Sequence, residues 1–160
     1  MKSTRRDDRH YMSSVRVGPK GQIVIPKEAR EMFGIEPGDM LVLPGGPGVA
    51  ALEGSDTVLS LIRQAAQEEA LWLAAICAAP TLLARMGLLT GRQAVCYPGM
   101  ERDLTANGVT PRMDRSTVVD GKFITGRAPG SAFDFGLALV EALVGAPAAQ
   151  QVRTDTHYQG

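Results

Sequence analysis

The sequence predicts an α+β chain in two parts: a β-rich, basic N-terminal unit, then an α/β layer built on a mainly parallel sheet. Three observations carry this expectation. Two short alternating runs, around Val15 and Val17 and then Ile23 to Ile25, flank a Gly18-Pro19-Lys20-Gly21 turn. After Met40, strand-like and helix-like stretches alternate. Leu71 to Ile76 is continuously apolar, as strands covered on both faces are.

The elements follow in order. Residues 1–12 have no apolar period and read as a solvated, disordered tail. Order begins near Ser13 with the hairpin. Pro26 then opens a helix, PKEAREMF, at the position proline tolerates best, and Gly34 closes it. Met40 to Leu43 is an apolar strand, and PGGPG, Pro44 to Gly48, is the strongest breaker in the chain. Ser55 and Asp56 can cap a helix from about Thr57 to Glu69, with Val58, Leu59, Ile62, Ala65 and Ala66 on one face. A strand over Leu71 to Ile76 leads through Cys77 into a helix that stops at Gly87. Ala94 to Tyr97 reads as a short strand closed by Pro98-Gly99. Ser116 to Thr125 reads as a hairpin turning at Asp120-Gly121. Pro129-Gly130-Ser131 introduces a last strong helix, with Phe133, Phe135, Leu137, Leu139, Val140 and Leu143 before Gly145, and the chain frays from about Thr154.

Composition narrows the class. The chain has 160 residues, 44% of them hydrophobic, and two cysteines, Cys77 and Cys96. Two thiols do not make a disulfide framework, the charged N-terminus is not a secretion signal, and no apolar run reaches membrane-spanning length. The expectation is a cytoplasmic protein with no membrane partner, no metal and no cofactor. The net charge of zero hides an asymmetry. Residues 1–30 hold eight Lys and Arg against three Asp and Glu, a balance of +5 that the rest of the chain offsets. A basic end on an acidic body favours an anionic partner.

Residues 13–53 resemble the AbrB/MazE/SpoVT family of swapped-hairpin DNA-binding domains, through KGQIVIPKEAR and GIEPGD before an apolar strand. That resemblance implies an intertwined homodimer presenting basic side chains to DNA. The matching positions are Arg16, Lys20, Lys27 and Arg30, suited to charge-assisted contacts with phosphates or guanine. Relatives that act as antitoxins add a protein partner as a further possibility.

The chain from about Met40 to about residue 152 resembles the ThiJ/PfpI superfamily, through LVLPGG, AAICAAP, YP and VVDGKFITGRAPGSAFDFGLALVEALVG. The resemblance implies a flavodoxin-like sheet with Cys77 on a strand-to-helix elbow, its thiol activated by the helix N-terminus. It also implies backbone N–H groups of Gly46 and Ala78 as oxyanion donors. The superfamily's first strands, and the acid that bonds its cysteine, come before LVLPGG, where the AbrB-like segment stands. Its usual histidine falls at Tyr97, and the histidines here are His10 and His157, in the two tails. Cys77 is therefore expected to be a reactive or oxidisable thiol rather than an efficient catalyst, and Cys96 a buried apolar thiol.

The two resemblances overlap at residues 40–53. An AbrB-type barrel needs Val49 to Leu52 as a further strand, whereas the ThiJ-like reading makes them a loop leading to a helix. The domain expectation is a tail at 1–12, a DNA-binding unit at 13–53, a partial ThiJ/PfpI-like sheet at 54–152 and a tail at 153–160. The functional expectation is a dimeric AbrB-type transcriptional regulator whose C-terminal part serves dimerisation or redox sensing. The alternatives are a ThiJ/PfpI-like cysteine enzyme, of glyoxalase, deglycase or peptidase type, and an antitoxin-like protein-binding module.

Overall fold

The computed structural model describes residues 40–160. The expected tail, the hairpin, the helix opened by Pro26, and Arg16, Lys20, Lys27 and Arg30 lie outside the described residues. The described elements begin with β1 (Met40–Leu43), α1 (Val49–Glu53), α2 (Asp56–Gln67), β2 (Trp72–Ile76), α3 (Ala79–Arg85) and β3 (Gln93–Ala94). They continue with α4 (Glu101–Thr105), β4 (Thr110–Pro111), β5 (Thr117–Asp120), β6 (Phe123–Gly126), a 3-10 turn (Pro129–Ser131), α5 (Ala132–Val144) and α6 (Ala146–Asp155).

The main sheet has the order β1-β2-β6-β5 among the described residues, and β3 pairs with β4 in a separate two-stranded ladder. β2 runs parallel to both of its neighbours, with Leu41 opposite Leu73 and Ala74 opposite Ile124. Leu73, Ala74 and Ala75 are fully buried, which is why this strand reads as an unbroken apolar run. Its side chains alternate between two cores. Leu73 and Ala75 pack with Leu43, Ile62, Leu82, Leu83 and Phe123 on the face covered by α2 and α3. Ala74 packs with Ile124 and Phe135 on the opposite face, with Ala138, Leu139 and Ala142 of α5. β5 and β6 form a hairpin where one was expected, but Asp120 pairs with Phe123, so the turn is Gly121-Lys122, one residue later than the expected Asp120-Gly121, with Gly121 at φ 60° in the first turn position.

The termini of α2 are chemically specified. Ser55 Oγ accepts the Val58 N–H at 3.4 Å, as its position before the apolar face predicts. At the other end Lys122 Nζ donates to the carbonyls of Ala65 at 2.8 Å, Ala66 at 2.9 Å, and Glu68. An ammonium there satisfies orphan carbonyls and complements the negative end of the helix dipole. No helix among the described residues is long and apolar enough to cross a membrane.

Three further expectations are corrected. Val49 to Leu52 are helix α1, so the further strand that an AbrB-type barrel needs is not formed. The physical reason is the connection: β1 and β2 are parallel, and parallel neighbours need a crossover rather than a hairpin. Gly46 at φ 86° turns the chain, its carbonyl accepts the Val49 N–H at 3.2 Å, and Val49 is buried. The strand expected over Ala94 to Tyr97 forms a ladder only at Gln93–Ala94, against Thr110–Pro111. The C-terminus is not frayed from Thr154. Helix α6 continues to Asp155, and beyond it the Tyr158 hydroxyl donates to Asp134 Oδ1 at 3.0 Å while its ring packs on Phe133.

Candidate active site

Cys77 follows the last residue of β2 and adopts φ 66°. A side chain in this left-handed region is strained, and such residues collect where a surrounding structure holds them for a purpose. Three contacts fix the turn. The Cys77 N–H donates to the Gly126 carbonyl at 2.9 Å, one step past the β2–β6 ladder. The Cys77 carbonyl accepts the Tyr97 N–H at 2.8 Å. One residue on, the Ala78 carbonyl accepts both the Thr81 N–H at 3.1 Å and the Thr81 hydroxyl at 2.8 Å. Helix α3 starts directly afterwards, with Pro80 in its first turn, so the chain passes from strand to helix around one strained residue.

Two glycines allow this geometry, Gly45 in the PGGPG breaker and Gly126 at the end of β6. A Cβ on Gly45 would lie 2.5 Å from Cys77 Cβ, 2.6 Å from the Ile76 oxygen and 3.0 Å from the Ala78 nitrogen. The PGGPG segment therefore packs its backbone directly on the elbow. A Cβ on Gly126 would lie 2.9 Å from both Ile76 Cγ1 and Phe135 Cδ2. The available signals were the doubled glycine after β1 and a glycine ending an apolar strand, which mark close backbone approach.

The structure thus brings Cys77, Ala78 and the glycine loop containing Gly46 together. The Cys77 side chain is half-buried. Among the described residues its Sγ has no hydrogen-bond partner, and the Ala78 N–H has no backbone acceptor. Tyr97 sits beside the elbow through its backbone, with its side chain exposed. His157 lies past α6 and is exposed. Cys96 has a different character. It is fully buried, and its thiol is pushed up to about 12, first by burial and then by the negative charges of Glu101 and Asp103 and the nearby Cys77. It remains a neutral thiol whose Sγ–H lies 3.5 Å from the Tyr97 carbonyl. Among the described residues no group of three or more His, Cys, Asp or Glu side chains is placed to hold a metal.

Comparison with known proteins matches residues 14–142 to the DJ-1/PfpI family. The chain is 33% identical over 129 residues to protein dj-1beta of Drosophila melanogaster, covering 81% of this chain and 68% of that protein. The crystal structure of Drosophila DJ-1beta superposes with a TM-score of 0.72 at 32% identity, over 91% of this chain and 78% of that one. A glutathione-independent glyoxalase of Caenorhabditis elegans is 31% identical over 126 residues, 79% of this chain and 66% of that protein. An isonitrile hydratase of Pseudomonas putida is 36% identical over 121 residues, 75% of this chain but 52% of that protein, so the chain spans only about half of this last relative.

These findings overturn the DNA-binding expectation. The family match begins at residue 14 and runs through the segment assigned to an AbrB-type unit. The relatives carry DJ-1, glyoxalase and hydratase names, which conflict with a transcriptional regulator. The described sheet is the flavodoxin-type sheet of the DJ-1 structures, as the second resemblance implied.

Proposed function

This chain belongs to the DJ-1/PfpI family, and from that premise we propose that it is a cysteine-dependent enzyme acting on small carbonyl electrophiles at the Cys77 elbow. The observation that carries the proposal is Cys77 itself, a half-exposed thiol held at φ 66° between a buried strand and a helix start. The glyoxalase among the relatives supports a carbonyl substrate. In this reading the Cys77 sulfur adds to the aldehyde carbon of a 1,2-dicarbonyl, the π pair moves onto oxygen and the thiol proton leaves to solvent. The hydrogen on that carbon then shifts, as a proton, to the neighbouring carbonyl carbon to give a thioester, and water cleaves the C–S bond, releasing the hydroxyacid and restoring the thiol. The backbone N–H groups of Gly46 and Ala78 are the donors for the developing oxyanion. Gly45 supports that assignment, because a Cβ added to it would lie 3.0 Å from the Ala78 nitrogen, which brings the glycine loop to the same side.

The test is conversion of glyoxal or methylglyoxal without added thiol, followed by NMR of the hydroxyacid product. Wild-type protein should form it, and Cys77→Ala should reduce the rate by about 100-fold or more, as loss of a nucleophile does. Equal rates for the two proteins refute the proposal. The homodimer expected from sequence belongs to the same proposal. Phe133, Leu143, Val144 and Val152 of the last two helices are apolar and exposed. Light scattering should give twice the 17.0 kDa chain mass.

A further inference from the structure

Residues 93–97 run beside the β5–β6 hairpin without a strand ladder joining them to it. Three alternate N–H groups are instead received by acceptors of the main sheet and the elbow. Gln93 N–H donates to Asp120 Oδ2 at 2.8 Å, Val95 N–H to Thr125 Oγ1 at 3.0 Å, and Tyr97 N–H to the Cys77 carbonyl at 2.8 Å. Alternate N–H groups of an extended chain point to one side, so one edge of this segment is fastened by two side chains and one carbonyl.

The middle acceptor is the buried one. Thr125 is 1% exposed, and among the described residues its hydroxyl makes a long 3.5 Å contact to the Val118 carbonyl besides accepting from Val95. The next residue, Gly126, receives the Cys77 N–H. Thr125 therefore stands between the two backbone bonds that grip Cys77, one through the carbonyl of its successor and one through the strand its side chain fastens.

We infer that Thr125 is a positioning residue: its hydroxyl registers the Val95–Tyr97 segment so that the Tyr97 N–H holds the Cys77 carbonyl and fixes the elbow. The inference rests on the proposal that Cys77 is the reacting thiol, and its test does not depend on turnover. Thr125→Val keeps the shape and removes the acceptor, whereas Thr125→Ser keeps the acceptor. Amide hydrogen exchange by NMR is the primary readout. Thr125→Val should lower protection of the Tyr97 amide by about 10-fold while amides in α5 hold theirs, and Thr125→Ser should restore it. Unchanged Tyr97 protection in Thr125→Val, or an equal loss in Thr125→Ser, overturns the inference. The Cys77 alkylation profile against pH should change in the valine variant and return in the serine variant. If Thr125→Val does not fold, wild-type exchange decides: Val95 and Tyr97 amides opening together support the inference, and a far less protected Tyr97 amide overturns it. Failure of carbonyl turnover in wild type sinks the proposed function alone and leaves the exchange result standing.

Discussion

Gly45→Ala should destabilise the protein through the elbow rather than through its own loop. The new Cβ would sit 2.5 Å from Cys77 Cβ and 2.6 Å from the Ile76 oxygen. Relaxed contacts between carbons lie at about 3.5–4.0 Å, so the overlap is about 1 Å. Neither neighbour is the free end of a flexible side chain. The Ile76 carbonyl ends a strand paired on both sides, and Cys77 is held by the bonds to Gly126 and Tyr97. Overpacking of this kind costs about 1–3 kcal/mol, and the lower chain entropy of the unfolded alanine variant offsets about 0.4–1 kcal/mol of it. The net loss of about 1–2 kcal/mol lowers Tm by about 2–8 °C for a chain of this size. Gly48→Ala is the control, since Gly48 has φ −63° and nothing within 4 Å of an added Cβ. It should raise Tm slightly, by about 1–4 °C. Circular dichroism melts give Tm, and the Cys77 alkylation rate reports the elbow itself. If Gly45→Ala matches wild type in both, the close approach does not constrain the site and the reasoning fails.

Lys122→Met removes the ammonium that caps α2 through three carbonyls, and should cost about 2 kcal/mol in urea unfolding, against no change if the carbonyls are equally well hydrated. Among the described residues Thr117 Oγ1 is buried without a hydrogen-bond partner, so Thr117→Val should stabilise the hairpin by about 1 kcal/mol, seen as a higher Tm. Cys96 gives a pH dependence. Its thiol stands at about 12 when folded against 9.0 ordinarily, so in that window the unfolded chain loses a proton that the folded chain keeps. Stability from this group is complete below pH 9.0 and falls as pH rises toward about 12. Between pH 8.5 and 10.5, wild type should lose about 2 kcal/mol more than Cys96→Ala; parallel losses would exclude the buried neutral thiol.

What the sequence revealed depended on whether one residue or a relationship carried the information. Leu71 to Ile76 announced a doubly covered strand because burial on both faces leaves no polar position, and Ser55 announced a cap through its own hydroxyl. Cys77 was legible through AAICAAP, whose apolar run ending at small residues and a proline marks a strand passing into a helix. Val49 to Leu52 misled because β-branched and apolar residues after a turn suit either element, and the parallel connection around them decides. Thr125 was invisible as a positioning group, since a threonine on a strand is ordinary and only its neighbour across the sheet gives it a task. The AbrB-like pattern failed for a related reason. KGQIVIPKEAR reports turns, a helix start and charge, which are local properties, and local properties do not identify a partner.

The elbow itself shows why such a site can persist. A non-glycine residue at φ 66° is strained by about 1–3 kcal/mol. Relaxing Cys77 to an ordinary conformation would redirect its N–H away from Gly126 and its carbonyl away from Tyr97, and would displace the Ala78 carbonyl from the Thr81 hydroxyl. Thr81 is fully buried, so its group would lose an acceptor with no water to replace it. Three such bonds at about 1 kcal/mol each are together worth about as much as the upper end of that strain, and the Thr81 hydroxyl would keep only the bond it accepts from Arg85 at 3.1 Å. Every anchor is on the backbone of Cys77 or on its neighbours, and none engages Sγ among the described residues. Among the described residues the main chain of Cys77 is fixed while its side chain is not engaged, an arrangement that suits the nucleophile role proposed for it and that Cys96, whose thiol lies against the Tyr97 carbonyl, does not share.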